Sequence, residues 1–102
     1  MANEIEALDE NTFDKMVNVE FIGLTINKLS VIPENLFKNN LKLASIEFHN
    51  NRIQVINGSM FDHLNDVTVF ELGKNNCVDN SYAKIDFTVM KDFLRKNCSS
   101  AV

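Results

Sequence analysis

Cys77 and Cys98, His49 and His63, and the carboxylates Glu47 and Glu71 are the side chains whose type and spacing invite a chemical reading. A nucleophilic Cys77 would need a histidine or carboxylate to activate it, and the sequence pattern places none beside it. Zinc would need further ligands, and His49 and His63 lack metal-finger spacing. Paired carboxylates can hydrolyse glycosides. Glu47 and Glu71 fall on an open sheet face, however, with no closed pocket or substrate-binding motif. His49 lies two residues from Glu47 on the same face, and a neighbouring carboxylate can make an imidazole pH-responsive. The plainer reading is an exposed polar side chain. The expectation is therefore no enzyme, no catalytic residue, no cofactor and no metal. Two Asn-x-Ser sequons occur, at Asn57-Gly58-Ser59 and Asn97-Cys98-Ser99. Asn57 is the better glycan acceptor because it lies in a turn.

The chain has 102 residues, of which 45% are hydrophobic and 24% charged, the balance of one small globular domain. Three glycines and one proline argue against low complexity. No apolar run approaches the length that spans a bilayer. The net charge of -4 disfavours nucleic acid, which selects a basic patch. The nearest basic cluster, Lys91, Arg95 and Lys96, suits the solvated C-terminal end of a helix. The opening Met1-Ala2-Asn3-Glu4 has neither the basic nor the apolar region of a secretory leader. That start fits a cytoplasmic protein, or a fragment whose leader is missing.

An internal repeat organises the chain. Around Asn51, the residues Leu43, Ile46, Phe48, Ile53, Ile56, Phe61 and Leu64 form a template. Stepping back 24 positions finds Val19, Ile22, Leu24, Asn27, Leu29, Ile32 and Phe37 in the same slots. In the last slot Asn40 stands where an apolar residue is expected, with Leu41 beside it. Stepping forward finds Val67, Phe70, Leu72 and Asn75, with Cys77 in the next apolar slot. One register earlier, Asn3, Ile5, Leu8, Phe13 and Met16 fit. Agreement at so many positions over four registers is not chance. The divisions are a partial repeat at 1–18, full repeats at 19–42 and 43–66, and a partial repeat at 67–76. A C-terminal cap follows at 77–102.

Apolar-x-apolar segments such as Ile22-Gly23-Leu24 and Ile46-Glu47-Phe48 predict short strands with alternate side chains turned inward. The recurring asparagines Asn3, Asn27, Asn51 and Asn75 stand where the chain leaves the strand. Their amides can satisfy backbone groups that a turn leaves unpaired. Stacked, they would form a ladder. Phe13, Phe37 and Phe61 would stack as a spine of rings on the far side.

These segments resemble the typical, extracellular class of leucine-rich repeat, whose pattern is L-x-x-L-x-L-x-x-N-x-L-x-x-I-P-x-x-x-F-x-x-L-x-x. The short cap beginning N-x-C-V-D is similar to that of secreted insect repeat proteins. The resemblance implies an α/β solenoid, a right-handed β-α superhelix with short parallel concave strands, an irregular convex side and a C-terminal capping helix. It also implies a secreted or receptor-ectodomain module that recognises proteins.

A cap must cover the last hydrophobic edge of a repeat stack. Asp86 can N-cap a helix from Phe87 to about Lys96. Phe87, Met90, Phe93 and Leu94 supply its buried stripe, and Tyr82 and Ile85 are expected beneath it. Caps of this family are commonly disulfide-bonded, which implies a Cys77–Cys98 bridge. A buried free thiol at Cys77 and a metal site are the alternatives.

On the concave face the register exposes Phe21, Gly23, Thr25 and Ile26, then Ser45, Glu47, His49 and Asn50, then Val69, Glu71, Gly73 and Lys74. Outward Phe21, Ile26 and Val69 have no fold-based reason to face water. Glu47 and Glu71 occupy one column, where like charges cost stability that a basic partner could relieve. The partner-binding set is thus Phe21, Thr25, Ile26, Glu47, His49, Val69, Glu71 and Lys74, and the expected ligand is a protein. The alternative is a structural cap and dimerisation segment of a longer repeat protein. Its homodimer would form through the N-terminal edge of Ile5, Leu8, Phe13 and Met16.

Overall fold

The computed structural model describes residues 4–99, so Asn3 of the expected ladder lies outside the described residues. Three strands, β1 (Phe21–Gly23), β2 (Ser45–Glu47) and β3 (Val69–Glu71), lie side by side in parallel. Their register repeats the sequence interval: Ile22 faces Ile46, which faces Phe70. These three side chains are buried, while their strand neighbours point the other way. The strands start one residue earlier than the apolar-x-apolar core suggests.

A fourth strand, β4 (Ser81–Ala83), joins β3 in antiparallel fashion. The sequence did not foretell it, because Ser81-Tyr82-Ala83 lacks the repeat pattern. Asn75 N–H donates to the Val78 carbonyl at 3.0 Å and Lys74 N–H to Asp79 Oδ1 at 2.7 Å. These bonds form the turn that reverses the chain along the sheet's last edge. That covering leaves β3 with no open edge for further pairing.

Between strands the chain crosses over irregularly. A 3-10 turn at Gly58–Phe61 lies in the second crossover, and Val31 bridges Val55 in parallel between adjacent crossovers. Within the crossovers Phe13 stacks on Phe37 with ring centres 6.2 Å apart, and Phe37 on Phe61 at the same spacing. The spine extends beyond the repeat slots. Phe48 packs on Phe37 at 5.9 Å, and Phe70 links Phe61 to Phe87 of the cap at 5.1 and 5.6 Å. Offset aromatic pairs add to the apolar burial of the rings themselves.

The asparagine ladder bridges successive repeats. Asn51 Oδ1 accepts from Leu29 N–H at 3.2 Å, and its Nδ2 donates to Leu24 O at 2.6 Å and Phe48 O at 3.0 Å. Asn75 repeats the pattern with Ile53 N–H, Phe48 O and Leu72 O. Asn27 accepts from Ile5 N–H at 3.3 Å. Asn40, in the drifted slot, is fully buried and donates to Phe13 O at 2.9 Å and Met16 O at 3.0 Å. Leu41 beside it is exposed. The irregularity is thus a second polar clamp between repeats, not a slipped leucine.

The C-terminal helix α1 runs Phe87–Asn97 and buries Met90 and Leu94, with Phe87, Phe93 and Tyr82 partly buried against the core. Two expectations fail here. Asp86 occupies the N-cap position but its side chain caps nothing, because a 3-10 turn at Lys84–Asp86 feeds straight into α1. Ile85, in that turn, is 91% exposed instead of lying beneath the helix. The tight turn aims it at water and hands the core position to Phe87, two residues on. At the other end, Arg95 bonds Asp92 at 2.6 Å and Lys96 lies 3.1 Å from it. The Arg95 guanidinium, followed by the Lys96 ammonium, holds the Asp92 carboxyl below the usual carboxylate range. Its exposed position leaves that pairing screened by solvent.

The helix approaches the repeats closely at Gly58, where a Cβ would come within 2.9 Å of Lys91 Cγ and 3.2 Å of its Cα. Lys91 Nζ then reaches Asp62 at 2.7 Å. Cys77 and Cys98 form a disulfide, and no cysteine is free. Ile56 N–H donates to Cys98 O and Cys77 N–H to Ile53 O, both at 3.0 Å, so backbone bonds to the Ile53–Ile56 segment flank the bridge. The bridged residues are 21 apart in sequence. Closing such a loop stabilises by about 3 kcal/mol in the chain-entropy model. Denatured, unreduced protein should therefore take up no alkylating reagent by intact mass. Reduction should lower the unfolding free energy in urea by about that amount.

Candidate functional site

The face of the sheet opposite the core carries most residues that the sequence singles out. Phe21, Ser45, Val69 and Ala83 form one row across the strands. Gly23, Glu47, Glu71 and Ser81 form the next. Backbone bonds continue past the strand ends, from Leu24 N–H to Glu47 O at 2.8 Å and from Phe48 N–H to Glu71 O at 2.8 Å. Asn50 N–H to Gly73 O follows at 3.0 Å. These bonds hold Thr25, His49 and Gly73 as a third row.

Phe21 is 53% exposed, an unusual placement for a phenylalanine. A Cβ on Gly23 would lie 2.9 Å from its Cε1. The ring therefore folds back across the glycine and lies along the face. Val69 is half-buried and separated from Phe21 by Ser45, so the two do not form one continuous apolar patch.

Glu47 and Glu71 are direct cross-strand neighbours, and both are half-buried. His49 completes the cluster, but its nearest carboxylate is Glu71 on the neighbouring strand, with Nδ1 3.3 Å from Oε2. The sequence pairs it with Glu47, two residues away. Glu71 stands opposite Glu47 and so diagonally across from His49, a separation that long side chains still bridge. The contact is close enough for an ion pair but not aligned as a hydrogen bond, and Nδ1 is buried without a hydrogen-bond partner. One donor atom from each of the three residues lies within 4.8 Å of the others. The repeat register already sets Glu47 and Glu71 in one column with His49 on the same face; the sequence does not show that the three donors come this close or that His49 turns to Glu71.

Ile26, Asn50 and Lys74 fall together for a different reason. Each precedes a ladder asparagine and each takes a positive φ, 56°, 61° and 57° respectively. The turn off the strand needs that left-handed residue so the next amide can point inward. Asparagine tolerates it, whereas a β-branched isoleucine is strained there. Ile26 and Lys74 are thus exposed at the rim of the face, and their placement is dictated by the turn.

On the other side of the protein, a broad hollow of about 520 Å³ is lined by Glu34, Lys38, Leu41, Asn57, Met60 and His63. It contains none of the sheet-face residues. Asn57 is exposed at its edge; its Oδ1 accepts from Ser59 N–H and Oγ–H, and its Nδ2 donates to Glu34 Oε1 at 3.1 Å. Asn97, of the second sequon, ends α1 beside the bridged Cys98 and donates to Phe93 O.

A family model for the leucine-rich repeat matches residues 18–77, more than half the chain and all three parallel strands. The chain belongs to the leucine-rich-repeat family. A search of curated proteins found no match. Parallel strands one repeat apart, with a helix after them, fit the fold of leucine-rich-repeat proteins. Such repeats generally serve as non-enzymatic protein-interaction modules, so the expectation of a protein partner stands at that level. Among the described residues no helix is long and apolar enough to cross a membrane.

The strain at Ile26 gives a measurable consequence. Ile26→Asn should raise the unfolding free energy by about 1 kcal/mol, and Asn50→Ile should lower it by a similar amount, both by urea denaturation.

Proposed function

We propose that this leucine-rich-repeat chain recognises a protein ligand through the open face of its sheet. The repeats would wind as a right-handed solenoid with that face concave, and residues 77–102 would cap it. The observation that carries the reading is the combination on one rigid face of an exposed Phe21 and two adjacent, half-buried carboxylates, Glu47 and Glu71. Folding alone rewards neither. An aromatic ring open to water forfeits its burial, and like charges in register repel. A partner that presents an apolar pocket next to a cationic group would recover both. Thr25, Ile26, His49, Val69 and Lys74 would border the contact.

The disulfide supports an extracellular setting, whether secreted or on a receptor ectodomain, because oxidising compartments preserve such bonds. Asn57 is the sequon a glycan would occupy, lying exposed and away from the sheet face.

Charge reversal tests the reading. Immobilised protein should retain a set of extracellular proteins that the Glu47→Lys/Glu71→Lys variant loses, while Lys38→Glu on the opposite side retains them. Retention of the same set by all three forms would remove the sheet face as the interface.

A second reading, a cap and dimerisation segment, is favoured by one observation. Ile5 and Met16 are exposed at the first end of the stack, with Leu8 and Phe13 only partly covered. Sedimentation velocity over a wide concentration range should then show a dimer that Met16→Asp dissociates; a monomer throughout rejects this reading.

A further inference from the structure

The geometry points to a divalent transition-metal site of the zinc class on the sheet face, formed by Glu47, His49 and Glu71. It needs only these three side chains and is independent of the proposed protein partner.

Glu47 and Glu71 sit opposite each other in the β2–β3 register. Among the described residues, no lysine or arginine forms an ion pair with either; the imidazole of His49 is the one basic group in contact. Two carboxylates so placed hold a local negative charge that a single imidazole does not neutralise.

The imidazole itself is poorly served by the protein alone. His49 Nδ1 is buried, lacks a hydrogen bond, and still lies 3.3 Å from Glu71 Oε2. A buried polar atom without a partner costs free energy and asks for a ligand. The separation has a second meaning. Zinc binds nitrogen and carboxylate oxygen at about 2.0–2.2 Å, so tetrahedral donors stand roughly 3.3–3.6 Å apart. The His49–Glu71 pair already meets that spacing, and its misalignment as a hydrogen bond is what two donors to a shared ion would show. Glu47, within 4.8 Å, needs only a side-chain rotation to join.

The donor set fixes the class of ion. One imidazole and two carboxylates suit zinc and its neighbours, whereas calcium and magnesium prefer oxygen alone. The donors stand on hydrogen-bonded strands, with Phe48 N–H and Asn50 N–H both bonded to the β3 chain, so the site is held by backbone. Three protein ligands leave a fourth position open, facing away from the core, for water or for a donor from another molecule.

Titration of the whole chain with zinc chloride in a calorimeter tests the site. One zinc ion per chain should bind. Glu47→Gln, His49→Asn and Glu71→Gln should each weaken binding by at least about tenfold, the lower end of what loss of even an outer partner costs. His63→Asn, across the molecule, should leave it unchanged. The zinc-induced rise in the unfolding midpoint should follow the same order, since an ion that binds only the native state stabilises it. Each variant's metal-free midpoint shows that it remains folded. Absence of stoichiometric binding by the unaltered protein overturns the site, as does binding that survives all three substitutions or depends on His63.

Discussion

Asn51, nearly fully buried, makes four hydrogen bonds, to Leu29, Leu24, Phe48 and His49. Parallel strands leave the chain with a recurring difficulty: after three paired residues it must turn across the fold, and the turn strands carbonyls and an N–H in the core. An amide supplies two donors and an acceptor in one small plane, so a single side chain satisfies both its own turn and the one before it. Aspartate would lack the donors and leucine would lack everything. The repeat interval follows from this requirement, since each asparagine must sit one full circuit after the last. Asn40 solves a similar problem at the far side by binding Phe13 O and Met16 O.

The ladder also governs what the sheet face can present. Turning the amide inward forces the preceding residue into the left-handed region, at Ile26, Asn50 and Lys74. It stops each strand after three residues and pins His49 against the neighbouring strand through its flanking backbone bonds. The face is therefore a small, stiff grid whose rows repeat at fixed spacing. Side chains on it keep their relative positions without needing contacts of their own. That is why an exposed aromatic and an unneutralised pair of carboxylates can persist there.

Further contacts hold the chain together away from the sheet face. The packed phenylalanines run from Phe13 through to Phe87 of α1, and the disulfide joins the end of α1 to Cys77, whose N–H bonds Ile53 O. Gly58 and Lys91 show how closely the two parts meet. The division leaves the sheet face largely free of structural duty.

By itself the sequence determined the repeat, the buried face of each strand, the positions of the ladder asparagines and the phenylalanine spine, and the span of α1. All follow from local pattern: side-chain alternation, a fixed interval and helical spacing of apolar residues. Tertiary structure alone decided the rest. That Asn40 is a buried clamp, and that Ser81–Ala83 pairs antiparallel with β3, depends on which backbone groups the fold leaves unpaired. Ile85 faces water because the turn before α1 is a tight 3-10 turn, a conformation its composition does not announce. The repeat interval already sets Glu47 and Glu71 in one column, but that His49 turns diagonally to Glu71 and not to Glu47 beside it is decided by side-chain packing on the sheet, which no spacing along the chain records.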